Sequence, residues 1–175
     1  MRKLMYLLCF AIISCNNSTS QSDAETDESV TTFYFIRHAE KKTNQGSNPD
    51  LTAQGQQRAN QWVNYFFLKD VDAVLSSDTN RTLQTATPLA KAKKLDTEIY
   101  DVSQVNGKSL LEQYRGKTVV LFGHSNTINK YANDLQQDQV YGELDDADFD
   151  HFFIVKVDDN GNSNAVKETM ELEVD

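Results

Sequence analysis

Arg37-His38, Arg81 and His124 are the residues of this chain whose types and spacing are suited to chemistry. Arg37-His38 closes the apolar run Phe33-Tyr34-Phe35-Ile36 and is followed by Ala39-Glu40. His124 holds the same place after Val119-Val120-Leu121-Phe122-Gly123. Arg81 opens a helical pattern shortly after a third run, Val71-Asp72-Ala73-Val74-Leu75-Ser76-Ser77. Each run reads as a buried strand, and each delivers a cation or an imidazole at its C-terminal end. In an open α/β sheet that edge is where ligands bind. Two arginines and two histidines converging there point to a site for a phosphoryl group, because guanidinium forks match its oxygens where lysine offers only a point charge. The chain has three histidines, and two of them fall at such ends.

The elements that must position these groups follow from periodicity. Strands are predicted over 32–37, 72–76, 98–101, 118–122 and 151–157. The spacing of Ala59, Trp62, Val63 and Phe66 predicts a helix over about 52–68 with one apolar stripe. Gly55 in its first turn would permit close approach of another backbone. Ser77, Asp78 and Thr79 are N-cap candidates for a second helix with Leu83, Ala86, Leu89 and Ala90 on its inner face. Pro88 inside that run predicts a kink or an offset turn. A brief helix is expected over 109–114, ended by Gly116, and a fourth from a cap at Ser125 or Asn126 to about Leu135. Asp158-Asp159-Asn160-Gly161 is a turn signal before a weakly alternating end, which predicts a hairpin. The order predicts an α/β fold: a three-layer α/β/α sandwich with a mostly parallel sheet and a C-terminal hairpin.

The N-terminal end reads differently. Arg2 and Lys3 precede a ten-residue apolar run, Leu4 to Ile13, which is too short to span a bilayer and has the form of a secretory signal. Ile12-Ile13-Ser14-Cys15 resembles a bacterial lipobox, which implies removal of residues 1–14 and a lipid on Cys15. Residues 16–28 carry no aliphatic side chain larger than alanine and are rich in Ser, Thr, Asn and acids, so 15–30 is expected to be a disordered tether. The folded domain is then 31–175. Cys9 and Cys15 are the only cysteines, so this domain is expected to have no disulfide and no thiolate metal site. Net charge is −9 for the full chain, and loss of Arg2 and Lys3 leaves 15 basic and 26 acidic residues. Such a balance argues against nucleic acid or an anionic lipid surface as partner of the domain. The expected location is the cell envelope, lipid-anchored, periplasmic or surface-exposed, with membrane contact through Cys15.

Four blocks carry a family resemblance. Arg37-His38-Ala39-Glu40 is similar to the Arg-His-Gly-Glu motif of the histidine phosphatase superfamily, the phosphoglycerate-mutase-like proteins. Leu51-Thr52, Gly55 and Ala59 resemble the next block, Ser76-Ser77, Arg81 and Thr85-Ala86 the one after, and Gly123-His124-Ser125-Asn126-Thr127 the last. The resemblance implies a metal-independent phosphomonoesterase with no cofactor. His38 would be the nucleophile that becomes phosphohistidine, with Arg37 and Arg81 on the phosphoryl oxygens. His124 would donate to the same oxygens as imidazolium, and Ser125 and Asn126 would contribute backbone N–H groups. Asn44 lies where many members have a substrate-contacting asparagine, and a plain loop role is the alternative. The family's usual glutamate for protonating the leaving oxygen is missing; Asp101 is the nearest candidate, with Glu98 and Glu112 behind it. Glu40 reads as structural or electrostatic. His151 reads as structural.

The stretch 102–117 is short where mutases and large sugar phosphatases of the family carry a long lid. A short one implies an open site and a minimal phosphatase acting on a phosphorylated small molecule or a phosphoprotein, since a mutase must shield its intermediate from water. Two other readings remain. One is a lipid-anchored module that binds phosphorylated ligands without turning them over. The other is a serine esterase with Ser125 in an elbow, Asp145 or Asp148 as acid and His151 as base; it leaves Arg37, His38 and Arg81 without a role.

Overall fold

β1 (Thr31–Arg37) is a run of β-branched and aromatic residues with all seven positions buried, which marks it as an inner strand covered on both faces. A computed structural model of the chain describes residues 29–173. The expected signal segment, Cys15 and nearly all of the tether lie outside them. After β1 come α1 (Ala53–Tyr65), β2 (Ala73–Ser77), α2 (Asn80–Lys93), β3 (Thr97–Tyr100), α3 (Gly107–Gln113), β4 (Thr118–Gly123), α4 (Ile128–Gln136), β5 (His151–Val157) and β6 (Ser163–Thr169). The strands form one sheet in the order β3-β2-β4-β1-β5-β6. The four strands on the β3 side of the sheet run parallel; β5 pairs antiparallel with β1, and β6 closes a hairpin on β5.

Alternation along the strands splits the core in two. Phe33 and Phe35, Val119 and Leu121, and Phe153 and Val155 face Tyr131, Leu135 and Leu110 of α4 and α3. Tyr34 and Ile36, Val120 and Phe122, and Phe152 face Trp62 and Phe66 at α1, and Ala86, Leu89 and Ala90 of α2. Helices thus cover both faces, giving the three-layer α/β sandwich with its C-terminal hairpin.

Several boundaries differ from expectation for local reasons. α1 stops at Tyr65 because the Phe67 N–H turns back to the Asn64 carbonyl (3.1 Å), a tightened final turn that leaves Phe67 and Leu68 exposed. Pro88 lies inside a continuous α2, which runs on to Lys93. α3 begins early, at Gly107, because Asn106 and Ser109 form a reciprocal capping box. α4 begins late. Its cap is Thr127, not Ser125 or Asn126, because residues 124–127 form a turn in which the Thr127 and Ile128 N–H groups both bond the His124 carbonyl (3.0 and 3.2 Å).

Two features bear directly on the site. The β1–β4 register pairs Arg37 with Gly123, and the His38 N–H donates to the Gly123 carbonyl at 2.9 Å. His38 and His124 therefore leave the sheet side by side. Gly55 packs its Cα against the Glu40 backbone so closely that a Cβ there would collide with the Glu40 carbonyl oxygen. That same oxygen accepts from the Thr52 N–H at 2.9 Å, and Thr52 Oγ1 caps α1 through the Gly55 N–H. The start of α1 is thereby pressed onto the residues that follow His38.

Candidate active site

His38 is 3% exposed, and its ring is fixed by one bond: Nδ1 lies 2.8 Å from the Ala39 carbonyl oxygen. A carbonyl can only accept, so Nδ1 carries the proton and Nε2 keeps its lone pair. Ala39 is held in turn, its N–H donating to Thr85 Oγ1 (3.0 Å), whose hydroxyl donates to the Arg81 carbonyl (2.7 Å). Burial lowers the His38 pKa to about 3 against the opposing effect of the Ala39 bond, with the charges near it, Arg37 foremost, adding to the fall. The ring is neutral at any physiological pH.

His124 stands 5.6 Å from His38, ring centre to ring centre. Arg81 Nη2 is 3.5 Å from its Nδ1. A guanidinium only donates, so Nδ1 accepts and Nε2–H donates to Ser77 Oγ at 2.9 Å. Ser77 belongs to a short hydroxyl chain with Thr82 and Thr79 (3.0 and 2.7 Å). Burial, then Arg81, then Arg37 bring the His124 pKa down to about 4. Burial first, and then the two guanidinium charges, thus favour a neutral ring in the ligand-free protein over the imidazolium expected from the sequence.

Arg81 is the second residue of α2, and its Nε is buried without a partner. Arg37 is 4% exposed and is not a free fork. Its Nη1 donates to the carbonyls of Asp145 and Asp148, both at 2.8 Å, and its guanidinium lies over the Phe149 ring at 4.3 Å. Nη2 is 3.7 Å from the Asp146 carboxylate, and Nε is buried and unpartnered. Half of the Arg37 fork therefore holds the loop between α4 and β5, and Nη2 remains for a ligand.

These side chains open onto one cavity of about 510 Å³. Arg37, His38, Lys41, Arg81 and His124 line it together with the 125–127 turn, and Glu143 and Asp146 complete the lining. Ser125 and Asn126 reach it from that turn rather than from the first turn of α4. Asn44 is exposed in the 41–50 loop and does not line the cavity. Asp101 is exposed and lines a neighbouring cavity with His124, Ser77 and Thr79. Ser103 donates to its carboxylate through both Oγ (2.7 Å) and N–H (2.8 Å), which lowers its pKa. A carboxyl held ionised in this way is poorly prepared to give up a proton. The esterase arrangement is absent: Ser125 Oγ meets Glu143 at 3.5 Å, while His151 Nδ1 pairs with Asp148 at 2.8 Å. Among the described residues no group of three or more His, Cys, Asp or Glu side chains could hold a metal ion.

Sequence reasoning missed Arg58, Glu143 and Asp146. Arg58 is 4% exposed and grips both Glu40 oxygens (2.7 to 3.1 Å) and Asp150 (2.8 Å), so Glu40 is a structural anchor. A signal existed: Arg58 falls on the apolar stripe of α1 beside Ala59, where a charge requires a buried partner. Glu143 and Asp146 sit in a loop with no periodic pattern, brought to the cavity by tertiary contacts: the Arg37 clamp, the Leu144 N–H on the Ser125 carbonyl and the Arg58–Asp150 pair.

Residues 33–102 match the model of the histidine phosphatase superfamily (branch 1). That segment contains Arg37, His38 and Arg81; His124 lies beyond it and is brought alongside by strand register. Among solved structures, the chain is similar to the protein histidine phosphatase SixA complexed with tungstate (18% identity, 79% of this chain and 96% of that one, TM-score 0.64). It is also similar to a phosphatase from Escherichia coli described as acting on alpha-ribazole-5'-P (13%, 83% and 99%, 0.63). A third is a phosphoserine phosphatase from Entamoeba histolytica in complex with phosphoserine (16%, 78% and 95%, 0.60). No curated protein sequence matches. The fold is phosphoglycerate-mutase-like.

The two histidines make a pH prediction. In an unfolded chain each takes up a proton near pH 6.5, whereas in the fold they resist to about 3 and about 4. Both folded values are depressed, so the stability they contribute is fully present above pH 6.5 and is lost as pH falls toward 3. The melting temperature should drop across that window, and less steeply in His38→Gln. Equal slopes for the two proteins would contradict the buried neutral His38.

Proposed function

We propose that this chain, which carries the histidine phosphatase superfamily pattern over residues 33–102, is a metal-independent phosphomonoesterase working through a phosphoryl group on His38 Nε2. The observation that carries this reading is the His38 ring itself. It is neutral and buried, its Nδ1 is spoken for by Ala39, and its Nε2 lone pair opens onto the cavity shared with Arg81 and His124. The lone pair attacks phosphorus, the bond from phosphorus to the ester oxygen breaks, and the alcohol leaves with a proton from solvent or a side chain of the wall. Water then adds to phosphorus, the P–N bond breaks, and inorganic phosphate departs with His38 restored.

The rest of the cavity serves charge and position, which is most of what phosphoryl transfer requires. Arg81 and the Nη2 of Arg37 meet the equatorial oxygens. Burial and the two guanidinium charges depress His124; a bound dianion offsets the second of these, so its pKa rises and it becomes a charged donor. The connection from β3 to β4 holds only the seven-residue α3, so the site is open to water and suited to hydrolysis rather than to retaining an intermediate. A phosphorylated small molecule or a phosphoprotein is the substrate class. The lipobox-like Cys15 supports a lipid anchor and a site of action at a membrane of the cell envelope.

Hydrolysis of p-nitrophenyl phosphate in excess EDTA tests the chemistry. The wild type should turn over, and His38→Ala should lose at least about a thousandfold in kcat with its melting profile retained. Activity that vanishes with EDTA and returns with a divalent ion would refute the mechanism, as would near-normal turnover by His38→Ala. For the anchor, the full chain expressed in a lipoprotein-processing bacterium should fractionate with membranes and Cys15→Ser should not; membrane retention of the variant would contradict lipidation there.

A further inference from the structure

The cavity around His38 is lined by groups of both charges. Arg37, Arg81, Lys41 and His124 line it, and so do the carboxylates Glu143 and Asp146. The acids are not there by accident of a floppy loop. Arg37 Nη1 holds the carbonyls of Asp145 and Asp148 at 2.8 Å each, and Arg58 holds Asp150 at 2.8 Å. Neither Glu143 nor Asp146 is consumed by a close ion pair of its own: Asp146 is 3.7 Å from Arg37 with its side chain fully exposed, and Glu143 has a marginal 3.5 Å contact with Ser125. What makes this a ligand site, independently of the acids, is His38, a 3% exposed imidazole whose Nε2 faces the same cavity. The two carboxylates help to offset the buried charge of Arg37, and toward the cavity they also leave negative charge that suits a substrate whose remaining part is positive.

Resting on the phosphatase reading above, we propose that this site selects phosphomonoesters whose leaving group carries an ammonium a few bonds from phosphorus. In such a zwitterion the phosphoryl group meets Arg81, His124 and His38, while the ammonium sits between Glu143 and Asp146. A leaving group bearing a carboxylate or a second phosphate meets repulsion from the same carboxylates, so the acids exclude as well as attract. Both carboxylates are exposed, so each contributes a modest factor rather than a large one.

Phosphoethanolamine and 2-hydroxyethyl phosphate make the test, since they differ only in ammonium against hydroxyl. The ammonium also changes leaving-group reactivity, so the readout is the ratio of their kcat/KM values in each protein, not the ratio in one. Removing both charges in Glu143→Gln/Asp146→Asn should lower that ratio by about three- to tenfold, with the change residing mainly in KM. Because both side chains project into solvent, the variant is expected to fold, and a melting curve checks it. An unchanged ratio in a folded variant overturns the proposal, as does a wild-type preference for 3-phosphoglycerate over phosphoethanolamine. Hydrolysis of p-nitrophenyl phosphate with an unchanged ratio removes this inference alone; absence of all hydrolysis removes the function on which it rests.

Discussion

The hydrogen bond from His38 Nδ1 to the Ala39 carbonyl, 2.8 Å long, is the constraint through which the sheet, the helices and the cavity act together. It settles which ring nitrogen has the proton and therefore which can attack. It also fixes ring orientation in a setting where burial keeps the imidazole neutral. The bond exists only because the Ala39 backbone is immobilised. The His38 N–H is tied to Gly123 in β4, the Ala39 N–H to Thr85 in α2, and the Glu40 carbonyl to Thr52 at the start of α1. Three elements from both the sheet and one helical layer thus converge on three consecutive residues.

Two buried arginines extend this arrangement to the other side of the cavity. Arg58 joins Glu40 to Asp150 and to the Met170 carbonyl after β6, and Arg37 joins the end of β1 to the 145–148 backbone. Removing Glu40 would leave the buried Arg58 short of its more deeply buried carboxylate partner, a loss of the class that costs about 3–5 kcal/mol. Burial on this scale makes the arginines structural as much as electrostatic. It explains how an irregular acidic loop is held in one place at the rim of the cavity.

Much of this was legible in the sequence because it rests on local rules. The apolar runs ending in Arg37-His38 and in Gly123-His124 marked both the central strands and the residues at their ends, since inner parallel strands read as continuous apolar segments. The turn at Asp158 to Gly161 marked the hairpin, and Gly55 marked a close backbone approach. What was not legible depends on tertiary contact. The partial diversion of Arg37 to the loop carbonyls, the neutral state of His124 beside two guanidinium groups, and the placing of Glu143 and Asp146 at the cavity have no periodic signature. Asp101 shows the same limit: its position after β3 was readable, but not that Ser103 would hold its carboxylate.

The most direct test of the account is to trap the intermediate. The wild type would be mixed with a phosphorus-labelled substrate, quenched in alkali within milliseconds to seconds, and digested for mass spectrometry and chromatography of the phosphohistidine isomers. The account predicts an alkali-stable, acid-labile phosphoryl group on His38, and specifically on Nε2, because Nδ1 is committed to Ala39. A phosphoryl group on Nδ1 or on another residue, or turnover with no labelled protein even when phosphoryl release is made rate-limiting, would contradict it.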